Sequence, residues 1–364
     1  MKYTLQIAAS LDIGGAEKVA RDIGLYGGSG EFETHYIVFG DRVGAYEQQL
    51  LDRGCRIFHI PSPGENYGAF LRTLAQLHRQ YSYTAIHAHT MFNIGMVMWQ
   101  AKRLGIPVRV AHSHSALDHQ GGWKVKAYEA VMRRLILHCA TDLVACGEKA
   151  GIRLYGADAY KKRAKLILNG IDVSSYRFDP AARDQIREQH HLGDSFVIGH
   201  AGHLAQVKNQ KFLLELMPRI LEQRPDAKLL LLGEGPDRAM LEEKIRELDL
   251  EDRVIMTGNV MNVAQYLSAM DVFAFPSLYE GTPLSIIEVQ ANGLPCVLST
   301  GVPRDVYLTD LIRPLDLNMP ENWIREICSG QRRDCERYQQ LLRSSGFDTS
   351  DSMRKIYEIY ERKN

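Results

Sequence analysis

Residues 271–298, DVFAFPSLYEGTPLSIIEVQANGLPCVL, contain a short apolar run, a polar loop, an apolar helical pattern and a second apolar run. The runs 271–275 and 295–298 are predicted strands, and 283–292 is the predicted helix between them. Pro283 suits a helix start, because an amide hydrogen at that position would have no acceptor within the helix, and proline has no amide hydrogen. A strand, a helix and a strand in this order predict a parallel βαβ unit.

The same alternation extends outward over most of the chain. Strands and helices in regular alternation predict parallel sheets that are covered by helices on both faces. The other predicted strands are 3–9, 34–39, 56–60, 84–88, 107–112, 141–145, 165–168, 196–201, 228–232 and 253–256. The other predicted helices are 16–27, 66–80, 93–104, 123–139, 208–223 and 237–248, with a helical tail over 320–362.

A break in this alternation divides the chain. Residues 169–195 are polar and turn-rich, then weakly helical, and we interpret them as a linker. A length of 364 residues also favours two domains. The predicted fold class is therefore α/β, with two Rossmann-like, doubly wound domains at 1–172 and 190–345. Such domains bind ligands at the carboxyl ends of their strands, so we expect the two sheets to face a common cleft.

The composition indicates a soluble globular protein, with 45% hydrophobic and 24% charged residues. The net charge is +0, which gives no argument for nucleic acid. The six cysteines form no CxxC pair, and no apolar run reaches the roughly 18–20 residues of a membrane span. Without a signal-peptide pattern, the expected location is the cytoplasm. Basic residues are in excess over 121–165, which predicts a basic face.

Two carboxylates flank the predicted start of helix 283–292. Glu280 lies in the loop before it and Glu288 lies about one turn inside it. The amides of 282–285 are expected to bind an anion, and carboxylates accept hydrogen bonds from sugar hydroxyls. This pattern predicts a phosphorylated, polyhydroxylated ligand. The alternative role for Glu280 is a helix N-cap, for which glutamate is a poor residue. The loop and first turn comprise Gly281, Thr282, Pro283, Leu284 and Ser285.

Two further turns could approach a phosphate. Gly14 and Gly15 follow strand 3–9 and open a helix, where small residues let amides reach an anion. Lys208 follows strand 196–201 and is well placed to meet a phosphate. The alternatives are a tight strand-to-helix turn for the glycines and a solvated side chain for the lysine.

Four histidines, His87, His89, His112 and His114, lie at the ends of two predicted strands. Two HxH pairs could indicate a zinc site. No cysteine or carboxylate completes such a set nearby, so lining of the cleft is the preferred interpretation, with one histidine contacting the substrate. The sequence thus predicts no metal.

These segments together resemble the retaining glycosyltransferases of family 4, which have the GT-B fold. The family signature has two glutamates eight positions apart, here Glu280 and Glu288. The other matching segments, in order, are GGAE at 14–17, NGID at 169–172, GH-x4-KN at 202–209 and LLGEGP at 231–236. The ordered set is specific, although no single piece is.

The resemblance implies a role for each residue. Glu280 would contact the donor sugar, Glu288 the ribose and Lys208 the diphosphate, with the amides near Thr282–Ser285. The remaining implied contacts are Asn259 and Val260 with the base, Gly14 and Gly15 with a phosphate or the acceptor, and His114 with the region of the anomeric carbon. His112 and His89 are alternatives to His114. The last helix, 350–362, would pack back on the first domain.

One position departs from the family pattern, because His203 stands where the family usually has arginine. An unperturbed imidazole has a pKa of about 6.5, so it supplies less positive charge at pH 7 than arginine does. This departure puts the neutralisation of the diphosphate in doubt.

RVAHSHS at 109–115 and ATDLVACGEKAGIRLYG at 140–156 are similar to bacterial exopolysaccharide and capsule enzymes. The implied reaction moves a sugar from a UDP-sugar to an undecaprenyl-type, lipid-linked saccharide, without cofactor or metal. The basic region 121–165 would then contact anionic lipid at the inner membrane face, although a solvated helix face is the alternative. The alternative functions are a UDP-sugar 2-epimerase-like isomerase and a non-catalytic nucleotide-sugar-binding subunit.

Overall fold

A computed structural model describes residues 1–26, 30–115 and 122–362. The chain divides into two compact units, one of Met1–Gly170 with Thr349–Asn364 (unit 1) and one of Ile171–Asp348 (unit 2). Residue 27, at the end of predicted helix 16–27, and Gly121, the first residue of the basic region, lie outside the described residues.

Unit 1 contains one sheet whose seven strands are all parallel, in the order β3-β2-β1-β4-β5-β6-β7. The strands are β1 Lys2–Ala8, β2 Phe32–Phe39, β3 Arg56–Ile60, β4 Ala85–Ala88, β5 Val108–Ser113, β6 Asp142–Ala145 and β7 Ala164–Leu166. The helices are α1 Gly15–Tyr26, α2 Glu47–Asp52, α3 Pro63–Tyr81, α4 Ile94–Arg103, α5 Trp123–Cys139, α6 Glu148–Tyr155 and α7 Ala157–Arg163. The central strands are buried, as parallel strands covered on both faces must be.

Unit 2 repeats this design with six parallel strands in the order β10-β9-β8-β11-β12-β13. The strands are β8 Val197–Ala201, β9 Lys228–Leu232, β10 Val254–Gly258, β11 Val272–Phe275, β12 Cys296–Ser299 and β13 Ile312–Leu315. The helices are α8 Pro180–Gln189, α9 Gln210–Gln223, α10 Arg238–Glu247, α11 Val263–Ala269, α12 Leu284–Ala291, α13 Pro320–Cys328 and α14 Glu336–Ser344.

The last helix, α15 Thr349–Tyr360, returns to unit 1 and packs against α1. The Tyr357 hydroxyl donates to the carbonyl of Ile23 at 2.8 Å, and the Tyr357 ring lies 5.4 Å from that of Phe32. Burial of its aromatic face explains why this tail is ordered as a helix. Among the described residues, no helix is both long and apolar enough to cross a membrane.

The structure corrects two predictions about the regular elements. The segment 169–195, interpreted as a linker, contains helix α8, whose first amides at Ala181 and Ala182 bind the Asp179 carboxylate. The alternation also continues past 298, where the prediction ended it, into strand β13. Arg313 and Pro314 of β13 are exposed, and proline is tolerated only at a sheet edge, so β13 lacks the continuous apolar pattern of a central strand.

Candidate functional site

Several of the candidate residues follow the strands on either side of the point where each sheet reverses its order. In unit 1 this point lies between β1 and β4, and in unit 2 it lies between β8 and β11. The loops diverge there, so doubly wound sheets bind ligands outside the carboxyl ends of these strands. Lys208 follows β8 and Glu280 follows β11, which explains how residues far apart in sequence become neighbours.

Lys208 and Glu280 form a direct ion pair, with the Lys208 Nζ 2.6 Å from the Glu280 Oε1. Both side chains are largely buried, and the Lys208 Nζ also lies 5.1 Å from the centre of the Phe275 ring. Asn209, at φ 56°, turns the chain into α9 and donates from its Nδ2 to the carbonyl of Pro276 at 3.3 Å. These contacts hold one cation and one carboxylate side by side, and an entering phosphate could compete for the cation.

Helix α12 begins directly after this pair, and Pro283 occupies its N-cap position. Glu280 is therefore not the N-cap, and its carboxylate binds Lys208 instead. The expected anion site over 282–285 needs one correction, because Pro283 has no amide hydrogen to donate. The amides of Thr282, Leu284 and Ser285 remain, and amides at a helix start have no partner within the helix.

Glu288 lies one turn inside α12 and accepts a hydrogen bond from the Tyr176 hydroxyl at 2.8 Å. The carbonyl of Tyr176 in turn accepts from the Asn292 Nδ2 at 3.0 Å, which attaches this segment to the end of α12. Tyr176 is not among the residues that the sequence predicts for the site, because it lies in the stretch interpreted as a linker. No spacing pattern in the sequence connects it with Glu288.

The other candidates of unit 2 lie in loops after strands. Asn259 is exposed and Val260 half-buried directly after β10. His203 is exposed after β8, and its carbonyl accepts from the Gln210 Nε2 at 3.0 Å. Gly281 is exposed in the loop before α12.

In unit 1, Gly14 and Gly15 form the turn from β1 into α1. The carbonyl of Gly14 accepts from the Lys18 amide at 2.8 Å, and a Cβ on Gly14 would lie 2.2 Å from the Glu17 carboxylate. The Lys18 Nζ binds the carbonyl of Gly170 at 2.7 Å, so two of the motif segments, GGAE and NGID, are in contact.

The four histidines lie together at the ends of β4 and β5. The His87 Nε2 is 3.1 Å from the His112 Nδ1, and the His89 Nδ1 is 2.8 Å from the His114 Nε2. Burial lowers the pKa of each imidazole well below its ordinary value, to about 3 for His114. All four are therefore neutral at pH 7.

Three of these residues, His87, His89 and His112, each offer a nitrogen within 4.8 Å of the others and could hold a metal ion. Both nitrogens of His87 and both of His89 already have hydrogen-bond partners. A metal would have to displace some of these bonds, so the arrangement favours a hydrogen-bonded network.

The chain matches two family models. The first is described as glycosyl transferases group 1 and covers residues 182–310, and the second is described as a glycosyl transferase 4-like domain and covers residues 14–170. A protein of Bacillus subtilis strain 168 named as a glycosyltransferase, EpsF, is 31% identical over 369 residues, which is 99% of this chain and 96% of that protein. The chain belongs to the family 4-like, group 1 glycosyltransferases.

Two further relatives of this glycosyltransferase carry more specific names. One is the UDP-Gal:alpha-D-GlcNAc-diphosphoundecaprenol alpha-1,3-galactosyltransferase of Escherichia coli, which is 28% identical over 68% of this chain and 67% of that protein. The other is the capsular polysaccharide biosynthesis glycosyltransferase CapH of Staphylococcus aureus, which is 22% identical over 92% of this chain and 91% of that protein.

Solved structures support the same fold for the glycosyltransferase. Anabaena HepE in complex with UDP has a TM-score of 0.77 and 21% identity, over 98% of this chain and 99% of that chain. WaaG, a glycosyltransferase involved in lipopolysaccharide biosynthesis, has a TM-score of 0.66 and 13% identity, over 99% and 100%. The predicted fold class, GT-B with two Rossmann-like parallel sheets, is confirmed.

Proposed function

We propose that this glycosyltransferase moves a sugar from a UDP-sugar, with retention of configuration, to a lipid-linked saccharide in exopolysaccharide or capsule synthesis. The main support is the Lys208–Glu280 ion pair beside the start of α12. It combines a cation and helix amides, which suit a diphosphate, with a carboxylate, which suits sugar hydroxyls. The names of the Escherichia coli and Staphylococcus aureus relatives and the UDP complex of HepE point in the same direction.

The proposed roles follow from charge. Negative charge develops on the leaving diphosphate, and Lys208 with the amides of Leu284 and Ser285 stabilises it. The carboxylate of Glu280 then accepts hydrogen bonds from the transferred sugar, while Glu288 binds the ribose hydroxyls. The loop after β10, with Asn259 and Val260, faces the base. A preformed cationic site of this kind makes a divalent metal unnecessary.

Unit 1 takes the acceptor in this proposal, with Gly14, Gly15 and His114 on that side. Its helix α5 begins with an exposed stretch in which Trp123, which is 76% exposed, and Val125 alternate with Lys124 and Lys126. An aromatic side chain next to cations suits the interface of an anionic membrane, where a lipid-linked acceptor resides. We propose peripheral contact there, at the inner face of the cell membrane.

The test is a panel of UDP-, GDP- and ADP-sugars with and without a lipid-linked saccharide, each in the presence and absence of EDTA. We expect UDP release only with a UDP-sugar, a product whose anomeric proton keeps the donor configuration by NMR, and equal rates in EDTA. A changed donor sugar without acceptor would indicate an isomerase. Binding of UDP without turnover on any acceptor would indicate a non-catalytic subunit, and rescue by manganese after EDTA would contradict metal independence.

A further inference from the structure

A buried glutamine joins the histidines of unit 1 into two hydrogen-bonded arms. The side chain of Gln6, in the central strand β1, is fully buried and bonds through both ends of its amide. Its Oε1 lies 3.1 Å from the His89 Nε2, and its Nε2 lies 3.1 Å from the Tyr360 hydroxyl, which α15 supplies. From His89 the hydrogen bonds continue to His114, and from Tyr360 they continue to His87 and His112.

The first arm runs from Gln6 through His89 to His114. A neutral imidazole has one N–H donor and one acceptor nitrogen, so each hydrogen bond determines the next. The Gln6 oxygen can only accept, so the His89 Nε2 carries the hydrogen and the His89 Nδ1 accepts. The His114 Nε2, at 2.8 Å, must then donate. The Nδ1 of His114 is left as a bare acceptor.

The second arm runs from Gln6 through Tyr360 and His87 to His112. The Gln6 amide nitrogen donates to Tyr360, so the Tyr360 hydroxyl gives its own hydrogen to the His87 Nδ1 at 2.6 Å. The His87 Nε2 then carries a hydrogen and donates to the His112 Nδ1 at 3.1 Å. The Nε2 of His112 is left as a donor.

The two nitrogens at the ends of the arms are the His112 Nε2 and the His114 Nδ1. Both are buried and have no hydrogen-bond partner among the residues that the structure describes, and we call them the open nitrogens. The two rings lie against each other, with centroids 4.0 Å apart. If the Gln6 amide is turned over, every bond in both arms reverses, and the two ends exchange roles. In either orientation one end donates and the other accepts.

We propose that Gln6 and Tyr360 are positioning residues that give the open nitrogens of His112 and His114 opposite hydrogen-bonding polarity, so that the pair takes one ligand hydroxyl. A hydroxyl is at once a donor and an acceptor, and it satisfies both nitrogens without bringing charge into a buried site. The polarity follows from the contacts of unit 1 alone. That the hydroxyl belongs to the saccharide acceptor rests on the proposed function.

The polarity is measured directly by long-range ¹H–¹⁵N NMR of the ¹⁵N-histidine-labelled full chain, which separates protonated from bare ring nitrogens. Assignments come from single His→Asn variants. We expect one tautomer per ring, with the open nitrogens of His112 and His114 of opposite type. Tyr360→Phe removes the relaying hydroxyl and should leave His87 and His112 as tautomer mixtures while His89 and His114 keep theirs.

Tyr357→Phe is the matched control, because Tyr357 lies on the same helix, is buried, and gives its hydroxyl hydrogen to the backbone of Ile23. It should leave all four tautomers unchanged. If Tyr360→Phe does not fold, Gln6→Met removes the shared anchor and should leave both arms as mixtures. Open nitrogens of the same type, equal effects of the two tyrosine variants, or one zinc per chain in the purified protein would each overturn the proposal.

Kinetics then test the identity of the hydroxyl. Loss of a fixed hydrogen-bond polarity should raise the KM for the saccharide acceptor about 2- to 10-fold in Tyr360→Phe, with the donor KM unchanged and Tyr357→Phe like the parent. A raised donor KM with an unchanged acceptor KM would assign the hydroxyl to the donor sugar and overturn the acceptor assignment. Opposite polarity by NMR in a protein without transferase activity would contradict the proposed function and leave the polarity established.

Discussion

The two units have sheets of nearly the same strand order, but the chemistry at the ends of their strands is opposite. In unit 1 the groups that end β4 and β5 are neutral imidazoles joined to Gln6 and Tyr360. In unit 2 the groups that follow β8 and β11 are a paired cation and carboxylate, Lys208 and Glu280. The topology determines where a ligand can bind, and the side chains determine which ligand it is.

Burial produces this difference. In unit 1 the imidazoles of His87, His89, His112 and His114 have no carboxylate partner within the part of the chain that the structure describes, so desolvation lowers the pKa of each ring and keeps it uncharged. In unit 2 each charged group keeps a partner of opposite charge, which makes partial burial tolerable. A neutral hydroxyl suits the first arrangement and a diphosphate suits the second.

The largest effect is expected from replacing Glu280, the carboxylate of the charged pair in unit 2. Glu280→Gln should lower kcat by about 10²-fold or more, because Glu280 is assigned to the transferred sugar. Affinity for UDP should stay equal or rise, since Lys208 loses its competing partner. Steady-state kinetics and calorimetry with UDP measure the two quantities. Glu321→Gln, an exposed ion-pair residue of the same unit, is the control, and a collapse of UDP affinity would contradict the assignment.

The second prediction concerns the nucleotide. Glu288→Gln should make the binding free energy of UDP less favourable by about 1.5–3 kcal/mol, the usual cost of losing a charged hydrogen-bond acceptor. Tyr176→Phe keeps the carboxylate and removes one hydrogen bond to it, so its cost to UDP binding should stay at about 0.5–1.5 kcal/mol. Calorimetry with UDP measures both. Equal losses would show that Glu288 acts through Tyr176 and not on the ribose.

The sequence predicted most strands because buried parallel strands are largely apolar, as in β9 and β11. Elements with polar surfaces lack that pattern, so the stretch that forms α8 was predicted as only weakly helical, and the edge strand β13 was missed. The contact of Lys208 with Glu280 could be predicted from the sequence, because both residues follow the ends of strands. The contacts of Tyr360 with His87, and of Tyr176 with Glu288, depend on side chains from distant segments that no local pattern relates. The assigned roles of the site residues stay predictions.

The third prediction uses acid to separate the units. The buried histidines of unit 1 have pKa values below that of the unfolded chain, about 6.5, so below this pH the unfolded state binds protons that the folded state does not. Stability is therefore lost as pH falls from 7 to 5.5, by about 1.4 kcal/mol per histidine for each pH unit below 6.5. In unit 2 burial lowers the pKa of His200 to about 4 and also lowers that of His190, so fewer histidines contribute there and the loss of stability should be smaller.

Hydrogen exchange of the amides in β4 and β5 against those in β8 and β9, corrected for intrinsic rates at each pH, measures this difference. In unit 1, His59 opposes the trend, because Glu47 raises its pKa. His112→Asn should reduce the pH dependence in unit 1 by about one proton. Equal dependence in the two units would show that the histidine network is charged or open to water.

The smallest expected effect concerns His203, which stands where the family usually has arginine. Among the residues that the structure describes, Lys208 is the cation of the 202–209 motif that contacts Glu280. The His203 side chain is exposed. Lys208→Ala should therefore weaken the binding of UDP more than His203→Ala does at pH 7.5, because a charge-assisted hydrogen bond is about twice as strong as a neutral one.

His203→Arg adds a permanent charge and a second donor, and should increase the affinity for UDP by a few-fold at low salt. The gain should be smaller at 0.5 M salt, since salt screens exposed charges. Calorimetry at the two salt concentrations measures the gain, and Gln223→Arg, at an exposed position of α9 in the same unit, controls for the general effect of an added basic charge. An unchanged affinity in His203→Arg at low salt would mean that the loop after β8 directs residue 203 away from the diphosphate, and that Lys208 with the α12 amides completes the cationic site alone.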